Sequence, residues 1–285
     1  MVSNKQRKKL LKNHKVTAKA KPQPAYIERM THYGQLFADY PAIKFLVNNV
    51  LQADRLIAQG LLPQDLPELI LPDDIQDQIF TKINAQFAPK DPKGDQLWDT
   101  LSVALPKLDQ DLRSFRDYLE DQYGMWAYIS APFIADLADY VNGHGVLEIM
   151  AGNGYISKGL KDLKQPAIAT DSLAWTNENQ TGNHQVTTVE KLDALTAIKK
   201  YQDTVDYVIM SWSPDGMDID QQVLQTIREQ PNQNLKLIVI GEKNGATNSA
   251  AFWQLANYIE PATTQKLNRH HQPFDLIKDQ VYLID

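Results

Sequence analysis

The chain has 285 residues, a net charge of −6, 43% hydrophobic and 22% charged side chains, and no cysteine. That is enough chain for one large or two ordinary globular domains, and the composition excludes a collagen-like, mucin-like or wholly disordered protein. Without cysteine there are no disulfides, zinc ribbons, CxxC redox pairs or thiol nucleophiles.

The charge is unevenly spread. Residues 1–24 hold Lys5, Arg7, Lys8, Lys9, Lys12, Lys15, Lys19 and Lys21 and no acid, so the rest of the chain is more acidic than the total suggests. A run of like charge ending at Pro22 and Pro24 predicts a flexible basic tail over 1–24. Such an arm attracts nucleic acid, but no aromatic residue in it can stack on bases. No apolar signal-peptide core follows it, and no run approaches the ~20 apolar residues of a membrane span. A cytoplasmic protein with no membrane partner is expected.

Residues 25–142 predict an all-helical N-terminal region. Tyr26, Ile27, Met30, Tyr33 and Phe37 recur at helical spacing. Pro41 suits the first turn of the next helix, whose stripe is Ile43, Leu46, Val47, Val50, Leu51 and Leu56, with Gly60 as its stop. Pro63, Pro67 and Pro72 punctuate a connection, and Ile75, Ile79, Ile83 and Phe87 follow at a spacing of four. Residues 89–94 read as a loop, and Leu108, Leu112, Phe115 and Leu119 as a further helix. Ser130-Ala131-Pro132 opens the last one, which closes at Gly143.

After Gly145 the rhythm changes. Strand-like runs at Val146–Met150, Ala167–Thr170, Val186–Val189, Val205–Met210 and Leu235–Ile240 alternate with helical stretches near 154–163, 192–201, 218–229 and 248–259. Alternation of this kind predicts an α/β domain over 143–285 with a mainly parallel sheet. Residues 263–285 lack a clear helix and predict a C-terminal antiparallel hairpin around Gln272-Pro273.

The loop after the first strand is the most informative segment. Glu148-Ile149-Met150-Ala151-Gly152-Asn153-Gly154 places glycines between a strand and a helix, where they permit a sharp turn and a close approach of ligand to backbone. A dinucleotide site would carry G-x-G-x-x-G, but Ser157 stands at the third glycine, and Glu148 would repel a pyrophosphate. A cationic, phosphate-free ligand suits that carboxylate better. Asp171 ends the second strand, 17 residues past Gly154, where a carboxylate can accept both ribose hydroxyls. Asp193, or the backbone beside it, can meet an adenine amino group. It can equally cap the helix that follows.

The glycine motif, Asp171 and Asp193, in this order and spacing, resemble the first three motifs of class I S-adenosylmethionine-dependent methyltransferases. Tyr123-Gly124-Met125-Trp126-Ala127-Tyr128, Ser211-Trp212-Ser213-Pro214 and Gly241-Glu242-Lys243-Asn244-Gly245 resemble a poorly characterised branch with a Trp-Pro-Pro motif. The resemblance covers about half the chain. It implies a Rossmann-like seven-stranded sheet and S-adenosylmethionine as cofactor. It implies a cofactor set of Glu148, Ala151, Gly152, Asn153, Gly154, Asp171, Asp193 and Ser211. On the side of an unidentified methyl acceptor stand Trp126, Tyr128, Trp212, Pro214 and Glu242. Trp212 can wall the acceptor, hold the sulfonium or simply pack. Glu242 can orient an acceptor or cap a helix. No catalytic residue is named, because the sulfonium methyl is already activated and alignment is the main task.

Two departures keep other readings open. Met150 stands at the family's first glycine, and Ser213 replaces the first proline of Trp-Pro-Pro. The asparagine- or aspartate-led motif of amino-methyltransferases is absent, so transfer to an exocyclic or glutamine nitrogen is not implied. The alternatives are a non-catalytic binding or adaptor protein on the same fold, a nucleic-acid module using the basic tail, and an NAD oxidoreductase. The six histidines form no H-E-x-x-H set and there is no G-x-S-x-G elbow, so neither a metal site nor a hydrolase is expected.

Overall fold

A computed structural model describes residues 24–230 and 235–285. The basic tail expected at 1–24 lies outside the described residues but for Pro24, and so does the nucleic-acid contact it suggested.

Six helices come first: α1 (Ala25–Leu36), α2 (Pro41–Ala58), α3 (Ile75–Gln86), α4 (Pro92–Arg113), α5 (Phe115–Tyr123) and α6 (Ala131–Val141). Their boundaries follow local chemistry. Pro41, Pro92 and Pro132 sit in first turns, where the missing N–H costs nothing. Asp91 and Ser130 accept the Lys93 and Phe133 backbone N–H groups as N-caps. The buried stripe of α2 is Ile43, Leu46, Val47, Val50, Ala53 and Ile57, while Leu51 and Leu56 lie at its half-buried edge. Ile75, Ile79 and Ile83 bury one face of α3, as their spacing predicts. The helix expected around Leu108 starts earlier, at Pro92, carries Pro106 inside it, and breaks at Ser114 before Phe115.

The second half alternates β1 (Val146–Ile149), α7 (Tyr155–Asp162), β2 (Ala167–Asp171), β3 (Val189–Lys191), α8 (Ala194–Tyr201), β4 (Tyr207–Ser211), α9 (Ile219–Arg228), β5 (Lys236–Gly241), α10 (Ala250–Leu255), α11 (Pro261–Leu267) and β6 (Gln280–Ile284). The sheet order is β3-β2-β1-β4-β5-β6, parallel except for β6 against β5. Strand order reverses between β1 and β4, which opens a crevice beyond their carboxyl ends.

Successive residues of β1 face opposite sides, as strand geometry requires. Val146 joins a core shared by the N-terminal helices and one sheet face, with Phe37, Phe115 and Phe133 fully buried in it. Leu147 and Ile149 join the opposite core, under α8, α9 and α10. One apolar cluster thus runs without a break from α1 to the sheet.

The sheet has six strands among the described residues, not the seven expected, and the C-terminal hairpin is absent. Residues 261–270 form α11 and a 3-10 turn instead, started by Pro261. The place beyond β6 is held by a single antiparallel bridge, Tyr258 to Ile284. Asn268 completes that edge. Its side chain donates to the Val281 carbonyl and accepts from the Val281 N–H, both the bonds a neighbouring strand would make. β3 also falls later than expected, at Val189–Lys191.

Candidate active site

A cleft of about 580 Å³ opens at the carboxyl ends of β1, β2 and β4. Its floor is the loop after β1. Met150, Gly152 and Gly154 all take left-handed backbone conformations, with φ of 50°, 55° and 79°. Glycine is favoured at 154 by its left-handed backbone, and a Cβ there would stand 2.7 Å from Thr187 Cγ2, so that side chain would have to shift. Met150 adopts the same region with a side chain, a strained conformation for a non-glycine residue.

Two carboxylates shape that loop. Asp171 is buried at the end of β2 and accepts the N–H of Gly152 (2.8 Å) and of Leu173 (2.6 Å), one on each oxygen. Each oxygen keeps a further lone pair for a ligand. Glu148 is buried at the end of β1 and accepts the N–H of Ser157 (2.8 Å) in the first turn of α7. Burial pushes its carboxyl up to about 7, against the opposing pull of Ser157. It therefore changes charge near neutrality. Asp193 lies at the rim and caps α8 through Thr196 N–H, which holds its carboxyl below the ordinary range.

Glu148, Ala151, Gly152, Asp171, Asp193 and Ser211 all line the cleft, as do Trp126, Trp212 and Pro214. Asn153 and Gly154 are beneath it. The Asn153 side chain braces the loop from below, donating to the Tyr123 and Gln180 carbonyls and accepting the His184 N–H. Tyr128 is turned away: its hydroxyl donates to the Gln64 carbonyl, and its ring lines a separate cavity of about 150 Å³ beside His270 and His271. Glu242 also stays outside the cleft. It accepts the N–H groups of Ala246 and Lys278, which shapes the loop that brings Ala246 and Thr247 to the cleft wall.

The aromatic wall rests on a buried ionic cluster. The Arg116 guanidinium pairs with Asp275 (2.6 Å) and lies 3.5 Å from Asp279. It stacks between the rings of Trp212 (4.7 Å) and Phe274 (4.6 Å) and donates to the Trp126 carbonyl (2.7 Å). Trp212 donates its indole N–H to Asp279. Burial works to raise the Asp279 carboxyl, but His271, Arg116 and Trp212 together hold it at about 2. Trp126 donates its own indole N–H to Thr181.

Sequence reasoning missed Trp175, Met217 and Asp218, which also line the cleft, and Arg116 and Asp279, which support it. Trp175 lies four residues past Asp171, close enough to have been suspected. Arg116 sits on a helix remote in sequence, and nothing local marks it. Among the described residues no cluster of three or more His, Asp or Glu has a metal-holding arrangement, and no helix is long and apolar enough to cross a membrane.

No protein-family model matches this sequence, and no curated protein matches it. Solved structures match the chain only distantly. TehB from Haemophilus influenzae is 15% identical over 59% of this chain and 66% of its own, with a TM-score of 0.32. An S-adenosylmethionine-dependent methyltransferase from Archaeoglobus fulgidus is 15% identical over 59% of this chain and 97% of its own, with a TM-score of 0.35. An O-methyltransferase from neocarzinostatin biosynthesis, solved with S-adenosylmethionine and a substituted naphthoic acid, is 13% identical over 74% of this chain and 68% of its own, with a TM-score of 0.31. By its strand order, its one antiparallel strand and the glycine loop at the β1 edge, this chain has a fold of the class I methyltransferase kind.

Proposed function

We propose that the cleft binds S-adenosylmethionine and that the protein transfers its methyl group to an acceptor. The observation that carries this reading is the charge of the lining: Glu148, Asp171, Asp193 and Asp218 contribute carboxyl groups, and among the described residues no lysine, arginine or histidine lines the cleft. A pyrophosphate would meet these acids with no cationic side chain among the described residues to offset them, whereas a sulfonium and an ammonium would be attracted. The residues present fit such a ligand. Asp171 has lone pairs that would accept ribose hydroxyls, Glu148 and the Gly152 turn would hold its cationic end, and the backbone at Asp193–Ala194 would meet an adenine edge.

The cofactor supplies an already activated methyl group, so this chain's work is alignment and exclusion of water. Trp126 and Trp212 form the apolar wall that does so, and Ser211 and Pro214 shape the β4 edge beside them. No side chain in the cleft has to act as a nucleophile.

Calorimetric titration with S-adenosylhomocysteine, with NAD as control, tests the reading. Micromolar binding of the former alone is expected, and Asp171→Ala should weaken it at least tenfold in a protein whose circular dichroism is unchanged. Binding of NAD, or of neither ligand, would sink the proposal.

A further inference from the structure

We infer that the acceptor end of this cleft takes a flat, apolar small molecule that carries no negative charge. The inference rests on the cofactor reading above and specifies the second substrate.

Shape comes first. Trp126, Trp175 and Met217 are 38%, 39% and 47% exposed, and all three open onto the same cleft. Single exposed apolar side chains are ordinary, but three large ones around one opening mark a binding mouth. Behind them the half-buried Trp212 and the buried Met125 continue the apolar surface inward. The plates are fixed in place, since the Trp126 and Trp212 indole N–H groups are bonded to Thr181 and Asp279. Rigid ring faces favour a flat partner, which stacks with little loss of side-chain freedom.

Charge decides the rest. Three of the four lining carboxylates belong to the cofactor end, which leaves Asp218 exposed at the rim next to Met217. Asp218 makes no capping bond to α9, so its charge is undiverted. The guanidinium behind the wall, Arg116, is outnumbered by Asp275 and Asp279. An anionic acceptor would lose hydration here and find no cationic side chain among the described lining residues. A neutral ring loses little, and a cationic one gains from the indole faces. The phosphates of a nucleic acid meet the same repulsion at this opening.

The test titrates protein saturated with S-adenosylhomocysteine with three two-ring probes: quinoline at pH 8, N-methylquinolinium and 2-naphthoate. Quinoline and N-methylquinolinium should bind at least tenfold tighter than 2-naphthoate. Trp126→Ala should lower their affinity at least fivefold and Trp126→Phe should restore most of it. Asp218→Lys, an exposed change, should narrow the gap by raising 2-naphthoate affinity. Equal or preferred binding of 2-naphthoate, no binding of any probe to the loaded protein, or indifference to Trp126→Ala overturns the inference. If S-adenosylhomocysteine itself does not bind, the cofactor reading falls, and the same titrations without it decide the charge preference.

Discussion

The floor of the cleft is tied by contacts 2 and 19 residues apart in sequence, its aromatic wall by contacts 67 and 159 apart. In the floor, one carboxylate gathers backbone N–H groups from the two turns it adjoins. In the wall, a guanidinium from α5 is buried between two rings and two carboxylates from the end of the chain. Both regions bury charge, but the compensation differs. Asp171 is satisfied by backbone that any sequence would supply, while Arg116, Asp275 and Asp279 depend on one another. The Asp171 turns need only the strand ends and the glycine loop, and Asn153 then ties that loop to Tyr123 at the end of α5. A wall of this kind exists only when the helical half has docked on the sheet.

The sharpest way to break that comparison is to remove the cation. Arg116→Met should destabilise the protein by about 3–5 kcal/mol, because it strands two buried carboxylates. The urea midpoint would fall with an unchanged slope. A loss below about 1 kcal/mol would mean that the wall does not depend on the pair.

The two regions also respond to pH with opposite sign. Glu148 in the floor is raised from its ordinary 4.5 to about 7. Its carboxyl ionises in the unfolded chain before it does in the folded one. Its contribution is therefore full below pH 4.5, falls as pH rises to about 7, and is flat above, with a span of about 3 kcal/mol at most. Asp279 in the wall is lowered from 3.8 to about 2, so its contribution is present above 3.8 and lost as pH falls toward 2. Melting temperatures of wild type and Glu148→Gln across pH 4.5–8 check the first half: the variant should show a shallower decline, and parallel curves would refute it.

The smallest expected effect sharpens the picture of the floor. Gly154→Ala forces a side chain into a left-handed conformation and against Thr187, at a cost of roughly 1–2 kcal/mol. Thermal denaturation reads it, and an unchanged melting temperature would show that the turn relaxes freely.

Much of the architecture is legible along the chain. Ser130 before Pro132 marks α6, the four-residue spacing of Ile75, Ile79 and Ile83 marks α3, and alternation after Gly145 marks a parallel sheet. In the site, the glycine loop, Glu148 and Asp171 are visible because strand, turn and acid are neighbours in sequence. The end of the chain was less so. Residues 261–267 have no strong apolar period, and Asn268 replaces a strand by satisfying Val281 with its side chain, so the expected hairpin and seventh strand had no local signal against them.

Periodicity, caps and turn residues determined the elements and the cleft floor, because those features are set by interactions a few residues long. Tertiary structure alone decided that Tyr128 faces Gln64 and Glu242 faces its own loop, and that Arg116 stands behind Trp212. These side chains are aimed by partners 64, 36 and 96 residues away in sequence, Gln64, Lys278 and Trp212, and no local pattern encodes them.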